Sequence, residues 1–384
     1  MANKNSIIWT AEPHTVAKIE ILKNYLNAWF PIVGSKFDEL LYIDGFAGPG
    51  VYINHHEGSP LAALKVFSSW IAKDPERLSI SRISAFFIES HTERFEILHN
   101  NVSSIRLPAR VTSFSLKGEF ATVMEDLLKD PRFNNCFAGQ QPLLIFADPF
   151  GGTGIPFQLF ERCLKSSGSE LILNFDADGI ARIYSGRNPG WEKQLDELFG
   201  SGDWRTALAC ENDTLAVRSQ KALELYKKQL LLIPGVEFVW SFEMRGKKDR
   251  INYYLIFATR NRLGMEKMKE AMRAIDKTGQ YCFSDAFFNQ HVLFRADDAA
   301  FFAKELHALY LGTTASYSEI DRYALNETPL LNPKGMLEYL SRGEMIRVQP
   351  VPGAVLRAHT FPEARIAAIE FVTQPTKEKQ ATLF

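Results

Sequence analysis

The run Asp44-Gly45-Phe46-Ala47-Gly48-Pro49-Gly50 sets an acidic side chain four and six positions ahead of two glycines, directly after the apolar residues Leu40-Leu41-Tyr42-Ile43. Glycines let a strand-to-helix turn bring its backbone close to a ligand, and a carboxylate at the strand end accepts hydrogen bonds from a cationic group. A dinucleotide-binding turn would show Gly-x-Gly-x-x-Gly with its phosphate on the helix N-terminus, and that spacing is absent. The expected ligand is S-adenosylmethionine, whose amino-acid end carries an ammonium, with Asp44, Gly45, Phe46, Gly48 and Gly50 as its cradle. The alternative is a tight turn that holds no ligand.

Three further strand ends supply polar groups. Glu89 closes the second apolar run, where a doubly wound sheet places a carboxylate for ribose hydroxyls. Lys117-Gly118-Glu119-Phe120 follows the third, and Glu119 would face the adenine amino group with Phe120 beside the ring; a solvated Glu at a helix start is the plainer reading. Asp148-Pro149-Phe150 follows the fourth and offers a carboxylate, a carbonyl held by proline, and an aromatic plate. In amino-group methylation such a trio holds the amine by two hydrogen bonds and stacks a flipped base. These are the expected catalytic residues.

Other candidates are more ordinary. His14 and Lys18 lie four apart on the first helix, where a solvated face is the expectation and a contact to cofactor or phosphate the alternative. His55-His56 read as exposed loop residues. Arg245, Lys247, Lys248 and Arg250, with Arg260 and Arg262, could form a local basic patch or a solvated hairpin tip. Cys136, Cys163, Cys210 and Cys282 are dispersed, so no zinc site or disulfide framework is indicated, and they are expected as small buried hydrophobes. No metal is expected.

The elements that must position these residues alternate. A first helix carries Ile19, Leu22, Leu26 and Trp29 on one face and is expected to close at Pro31. Strand Leu40–Ile43 leads through the glycine turn to a helix opened by Ser59 as cap and Pro60. Strand Ile83–Ile88 with helix Arg94–Asn101, strand Arg110–Ser115 with helix Ala121–Leu128, and strands Leu143–Ala147 and Leu171–Phe175 repeat the pattern. Val236–Met244 and Ile251–Thr259 then form a hairpin. The fold class is therefore α/β: a Rossmann-like methyltransferase sheet of five parallel strands plus a terminal β-hairpin, with ligands at the carboxyl ends of the strands.

Residues 1–275 are assigned to this domain, with about 183–235 as a helical cap insertion. Residues 276–372 read as a winged helix: helix Ala300–Leu311, a second helix opened by the capping box Ser316-Tyr317-Ser318-Glu319, a third opened at Asn332-Pro333, and a wing of Met345–Gln349 with Ala354–Thr360. Its third helix offers Lys334 and Arg342 against Glu338, so binding nucleic acid and merely packing are equal expectations. Residues 373–384 are expected to be disordered.

Composition narrows the classes. At 384 residues the chain should hold two to three domains, and Lys+Arg 44 against Asp+Glu 45 leaves a net charge of −1 with no chain-wide field for nucleic acid or anionic lipid. Hydrophobic residues at 46% and charged residues at 23% exclude a disordered chain. No apolar run approaches the ~20 residues of a membrane helix, and the N-terminal residues lack an apolar core and cleavage site, so a cytoplasmic location is expected.

The motif at 44–50, preceded by His14-Thr15-Val16-Ala17-Lys18 and Tyr25-Leu26-Asn27-Ala28-Trp29 and followed by Gly58-Ser59-Pro60, resembles the bacterial three-Cys-motif partner protein family. So do Asp148-Pro149-Phe150-Gly151, Asn174 with Arg182, and Tyr253–Thr259. The resemblance implies a methyltransferase-like protein, often encoded beside a three-cysteine radical-type partner. More distantly, the Lys-bearing first helix, the glycine turn and the Asp-Pro strand end look like large-ribosomal-RNA adenine N6-methyltransferases, whose Asp-Pro-Pro-aromatic signature accepts the adenine amine. By position Asp148 would inherit that role. This chain departs in lacking the second proline and in carrying Ile19 where a histidine usually follows the lysine.

The leading expectation is an S-adenosylmethionine-dependent methyltransferase acting on an exocyclic amine of a nucleic-acid base, RNA or DNA. The alternative is a non-catalytic partner that keeps the fold and binds nucleic acid or protein. A nicotinamide-dependent oxidoreductase is disfavoured by the glycine spacing.

Overall fold

The computed structural model of the chain describes residues 7–131, 141–152, 154–166, 168–210, 212–276, 279–286 and 298–373. Helix α1 (Pro13–Gly34) begins with Pro13 in its first turn, where a missing N–H costs nothing, and buries Ile19, Leu22, Leu26 and Trp29. It does not stop at Pro31, as the sequence suggested, but runs on to Gly34. The hydrogen bond that Pro31 cannot make frees only the carbonyl of Asn27, an exposed residue that water can serve.

The chain then alternates through β1 (Glu39–Asp44), α2 (Ser59–Lys73), β2 (Arg82–Glu89), α3 (Thr92–Ser103), β3 (Val111–Lys117), α4 (Phe120–Lys129), β4 (Leu143–Ala147), α5 (Phe157–Leu164) and β5 (Glu170–Phe175). The cap of α2 is Gly58, not Ser59, whose hydroxyl instead faces Asp44. Strands β1, β4 and β5 are buried along almost their whole length, which is why they read as continuous apolar runs with no alternation.

Helices α6 (Ala177–Gly186), α7 (Trp191–Phe199), α8 (Trp204–Ala207) and α9 (Leu215–Leu232) lead to the hairpin β6 (Phe238–Arg245) and β7 (Ile251–Thr259). The stretch expected as a helical cap insertion, about 183–235, packs its apolar residues on the sheet. Leu195, Phe199, Trp204, Tyr226 and Leu230 share one apolar core with Ile145, Leu173 and Phe175 of the sheet. The tryptophans and leucines of this stretch have the sheet face to cover, and that burial stabilises the packing.

After α10 (Arg262–Ile275) comes β8 (Cys282–Ser284), giving one eight-stranded sheet of order β3-β2-β1-β4-β5-β7-β6-β8. Strands β3 to β5 are mutually parallel and β7 runs antiparallel to both β5 and β6. Five parallel strands followed by an antiparallel hairpin are what the sequence predicted, and the sheet has one strand more. Because β8 pairs with β6, residues 281–286 belong to this unit, so its boundary lies beyond 275. A three-residue strand is too short to show a periodicity of its own.

Residues 298–373 form a second compact unit. It contains α11 (Ala299–Tyr310), β9 (Thr314–Ala315), α12 (Tyr317–Glu327), α13 (Lys334–Arg342), β10 (Ile346–Pro350) and β11 (Ile366–Phe371), with Leu306, Ile320, Leu337, Leu340 and Ile369 in its core. The capping box on α12 is present, with Ser316 and Glu319 bonding reciprocally. The partner strand of β10 is β11 and not Ala354–Thr360. Val355 in that segment is 81% exposed, whereas Ile366, Ile369 and Phe371 are buried, and burial selects which apolar run pairs. The expected disorder of 374–384 lies outside the described residues, and 373 lies inside them.

Candidate active site

Sheet order turns sequence positions into a row. Strand β1 lies between β2 and β4, so the chain reverses direction across the sheet there and leaves a crevice at the carboxyl ends of β1 and β4. Asp44 pairs in register with Phe87 on one side and Phe146 on the other, so Glu89 and Asp148 each stand two residues beyond its neighbours. Gly118 donates to the Glu89 carbonyl at 3.1 Å, which holds Glu119 at the next strand end. The structure thus brings Glu119, Glu89, Asp44 and Asp148 along one rim, three strand intervals of about 4.8 Å each.

Asp44 is fully buried. Its Oδ1 accepts the Phe46 N–H at 3.4 Å, and its Oδ2 is buried with no hydrogen-bond partner among the described residues. Burial pushes its carboxyl up to about 7; the Ser59 hydroxyl opposes the shift, neighbouring Asp148 adds to it, and the Phe46 N–H and Lys18 oppose it. The turn after it needs glycine twice over. A Cβ on Gly45 would stand 2.6 Å from the Phe120 ring, and Gly50 holds φ at +77°, a left-handed value that L side chains avoid. Gly48 is left-handed too, with φ at +60°. Phe46 is half-buried and tilted against Phe120 at 5.1 Å between centroids.

Glu89 is buried and its Oε1 accepts the His91 N–H at 2.7 Å, while its second oxygen accepts no hydrogen bond among the described residues. Glu119 is exposed at the start of α4 and makes no side-chain cap. Phe120 is not an aromatic beside a ligand ring: it is 2% exposed and packs under Gly45 and Phe46 in the core.

Asp148 is the best-held group of the row. Its Oδ2 receives the Lys18 ammonium and its Oδ1 the Asn174 side-chain amide at 2.5 Å. The second bond follows from register, since Ala147 pairs with Leu173 and the next residues of β4 and β5 stand side by side. Lys18 is 4% exposed and lies 5.2 Å from the centre of the Tyr253 ring, so it is no solvated helix residue. His14, one turn earlier, is half-buried, contacts Asp285 at 2.7 Å and packs edge-on against Tyr253. Burial raises the Tyr253 hydroxyl well above its ordinary value, and the charge of Asp148 raises it further.

Pro149 is buried and Phe150 is 52% exposed. Trp9 meets Phe150 edge-on at 5.3 Å, and the Arg94 guanidinium lies 4.9 Å from the Trp9 ring and 5.8 Å from the Phe150 ring. The segment carrying Trp9 is fixed by a two-way bond between the Ala11 backbone and Asn54. Trp9, Tyr52, Arg94 and the pairing role of Asn174 escaped sequence reading. Only the position of Asn174 at the end of β5, beside the Asp-Pro strand end, could have signalled it.

Other expectations fall away from this centre. His55 and His56 are exposed, and with Tyr52 they line a shallow cavity of about 210 Å³ between α1 and the 51–57 loop. The basic patch is divided, and three of its six cations are paired with carboxylates. Arg245 pairs with Glu243 and Asp249, Lys247 with Glu12, and Arg262 with Glu266, while Arg260 is bonded to the carbonyls of Lys165 and Pro234 at the other end of β7. Lys248 and Arg250 remain as exposed cations at the hairpin tip. Cys163 is buried as expected, but Cys210 is exposed and Cys282 half-buried, and Cys136 lies outside the described residues. No group of His, Cys, Asp and Glu among the described residues has the geometry of a metal site, and no helix there is long and apolar enough to cross a membrane.

No protein-family model matches the chain, and no curated protein matches it. Solved structures do. A protein from Legionella pneumophila, LPL1258, is 13% identical with a TM-score of 0.39, over 65% of this chain and 86% of that one. Trm1 from Pyrococcus horikoshii, solved with S-adenosyl-L-methionine, is 9% identical with a TM-score of 0.36, over 71% and 61%. An O-methyltransferase from Bacillus cereus, solved with S-adenosylhomocysteine, is 16% identical with a TM-score of 0.34, over 62% and 80%.

Proposed function

We propose that the chain is an S-adenosylmethionine-dependent methyltransferase that modifies an exocyclic amine of a nucleic-acid base. The observation that carries this reading is the row of acidic strand ends at the sheet's switch point, in which Asp44 keeps a buried, unpartnered oxygen and Asp148 stands beside an exposed aromatic ring. A cationic amino-acid end fits the first, since only a donor relieves a buried orphan acceptor. Glu89, with one oxygen still open, fits ribose hydroxyls, and Glu119 at the rim fits an adenine amine.

Asp148 would accept from the target amine and Phe150 would stack its ring, with Pro149 fixing the backbone between them. When bound, S-adenosylmethionine would supply an electrophilic methyl group; the amine held at Asp148 would supply the lone pair and release its surplus proton to solvent. Everything else falls to this chain. Lys18 and Asn174 hold the Asp148 carboxylate in place, and the buried glycine turn would let the backbone approach the ligand closely.

The partners remain in the same reading: RNA or DNA, met by the second unit as a winged helix and by Lys248 and Arg250 at the hairpin tip, and a three-cysteine radical-type protein encoded nearby, as the resemblance to three-Cys-motif partner proteins implies. The second reading, a non-catalytic partner that keeps the fold, is favoured by two facts. Two of the four hairpin cations, Arg245 and Lys247, are ion-paired, and Arg342 on α13 is tied to Glu338 at 2.8 Å, which reduces the positive charge available to a nucleic acid.

Calorimetric titration with S-adenosylmethionine and S-adenosylhomocysteine, with Asp44→Ala as control, tests the reading. Micromolar binding that the control loses supports it. No binding by the unaltered protein removes the enzyme and leaves the binding partner.

A further inference from the structure

We infer that Asn174 and Lys18 make this a site for a neutral aromatic amine, with Asn174 supplying a second acceptor for the –NH2 group and Lys18 excluding cationic amines; this rests on the methyltransferase reading and narrows its substrate class. The first part follows from hydrogen-bond accounting. Asn174 is 9% exposed, donates Nδ2 to Asp148 at 2.5 Å, and leaves its Oδ1 buried with no partner among the described residues. A carboxylate accepts and does not donate, so Nδ2 must face Asp148 and the orphan oxygen sits on the same amide, about 2.3 Å away from it. Asp148 and Asn174 together therefore present acceptors without a free donor. That pattern suits a group with two N–H bonds and rejects a carbonyl oxygen in its place.

The second part follows from charge. Lys18 supplies the counter-charge of the Asp148 carboxylate, and Asp44 is the carboxylate left to face the cofactor's ammonium. S-adenosylmethionine carries a sulfonium and an ammonium against one carboxylate, a single positive charge. A protonated amine such as a lysine side chain would therefore meet an Asp148 carboxylate already paired with Lys18 and would enter beside that ammonium with no counter-charge of its own, at a cost that a largely shielded site does not tolerate. An amine conjugated to an aromatic ring is neutral at pH 7 and fits, and the exposed face of Phe150 is the surface on which its ring can stack.

The test uses four decanucleotides of thymine carrying one central adenine, hypoxanthine, cytosine or uracil, so that each pair exchanges an amine for a carbonyl. Binding is read by fluorescence anisotropy with S-adenosylhomocysteine present, and methyl transfer from labelled S-adenosylmethionine is read on the same oligonucleotides and on a lysine-bearing peptide. The expected result is binding about tenfold tighter for the amino member of at least one pair. Asn174→Ala should lose that preference with S-adenosylhomocysteine affinity unchanged, Asn174→Ser should recover part of it, and the peptide should stay unmethylated except by Lys18→Met. Equal binding of amine and carbonyl members, a preference that survives in Asn174→Ala, or methylation of the peptide by the unaltered protein overturns the inference. Failure to bind S-adenosylhomocysteine at all overturns the parent reading instead, and the oligonucleotide preference then still decides the role of Asn174.

Discussion

The ammonium of Lys18 forms an ion pair with Asp148, a residue 130 positions along the chain, and carries the first turns of α1 to the carboxyl end of β4. Both partners are largely shielded, with side-chain exposures of 6% and 20%. Breaking such a pair from one side leaves a charge without its counter-charge, which costs more than the loss of a surface contact.

Asp148→Ala should therefore reduce methyl transfer by about a hundredfold or more, while S-adenosylhomocysteine binds within about twofold of the unaltered protein. Labelled methyl incorporation and calorimetry on the same preparations check this. Parallel loss of transfer and of cofactor affinity would make Asp148 part of the cofactor pocket and end its catalytic assignment.

Glu89→Ala should act the other way round. Its open oxygen is the expected acceptor for ribose hydroxyls, so its loss should weaken S-adenosylhomocysteine binding by about 1–3 kcal/mol. Unchanged affinity in a calorimetric titration would remove Glu89 from the site.

Asp44 makes cofactor binding depend on pH. With its carboxyl raised to about 7 by burial, it is mostly protonated below that pH and cannot accept from an ammonium without first losing a proton. Affinity should rise by up to about tenfold per pH unit toward pH 7 and flatten above it, with proton release at pH 6 that fades by pH 8. Asp44→Asn should abolish both trends. Calorimetry in buffers of different ionisation enthalpy measures the released proton directly.

Glu170 sits at the opposite end of the sheet and governs stability instead. It is buried, accepts from Tyr25 and from Thr259 at 2.8 Å, and burial raises its carboxyl to about 7, against the opposing pull of those two hydroxyls. In the unfolded chain it titrates near 4.5. The folded state thus holds the extra proton between those values, and the stability it contributes is present below the lower one and lost as pH rises through 7. Glu170→Gln should flatten the fall in Tm between pH 5 and pH 8. A Tm profile parallel to that of the unaltered protein would show that Glu170 titrates alike in both states.

Local pattern was enough for the frame. Continuous apolar runs at 40–43, 143–147 and 171–173 bury on both faces, so they announce a parallel sheet, and the residues directly after them have to fall at its ligand-binding edge. The capping box at Ser316 and the hairpin at 238–259 were legible for the same reason, since each is decided within a few residues. What the sequence could not decide was which distant groups meet. Lys18 has the same helical spacing as a solvated lysine, and only the return of β4 beside β1 gives it Asp148. The cations of 245–262 look like one patch until their carboxylate partners are placed, and Ala354–Thr360 looks like a wing strand until Ile366–Phe371 takes the buried position. Periodicity records how much of each residue is buried, whereas pairing, charge balance and the orphan oxygens of Asp44 and Asn174 depend on the sheet order that joins residues more than a hundred positions apart.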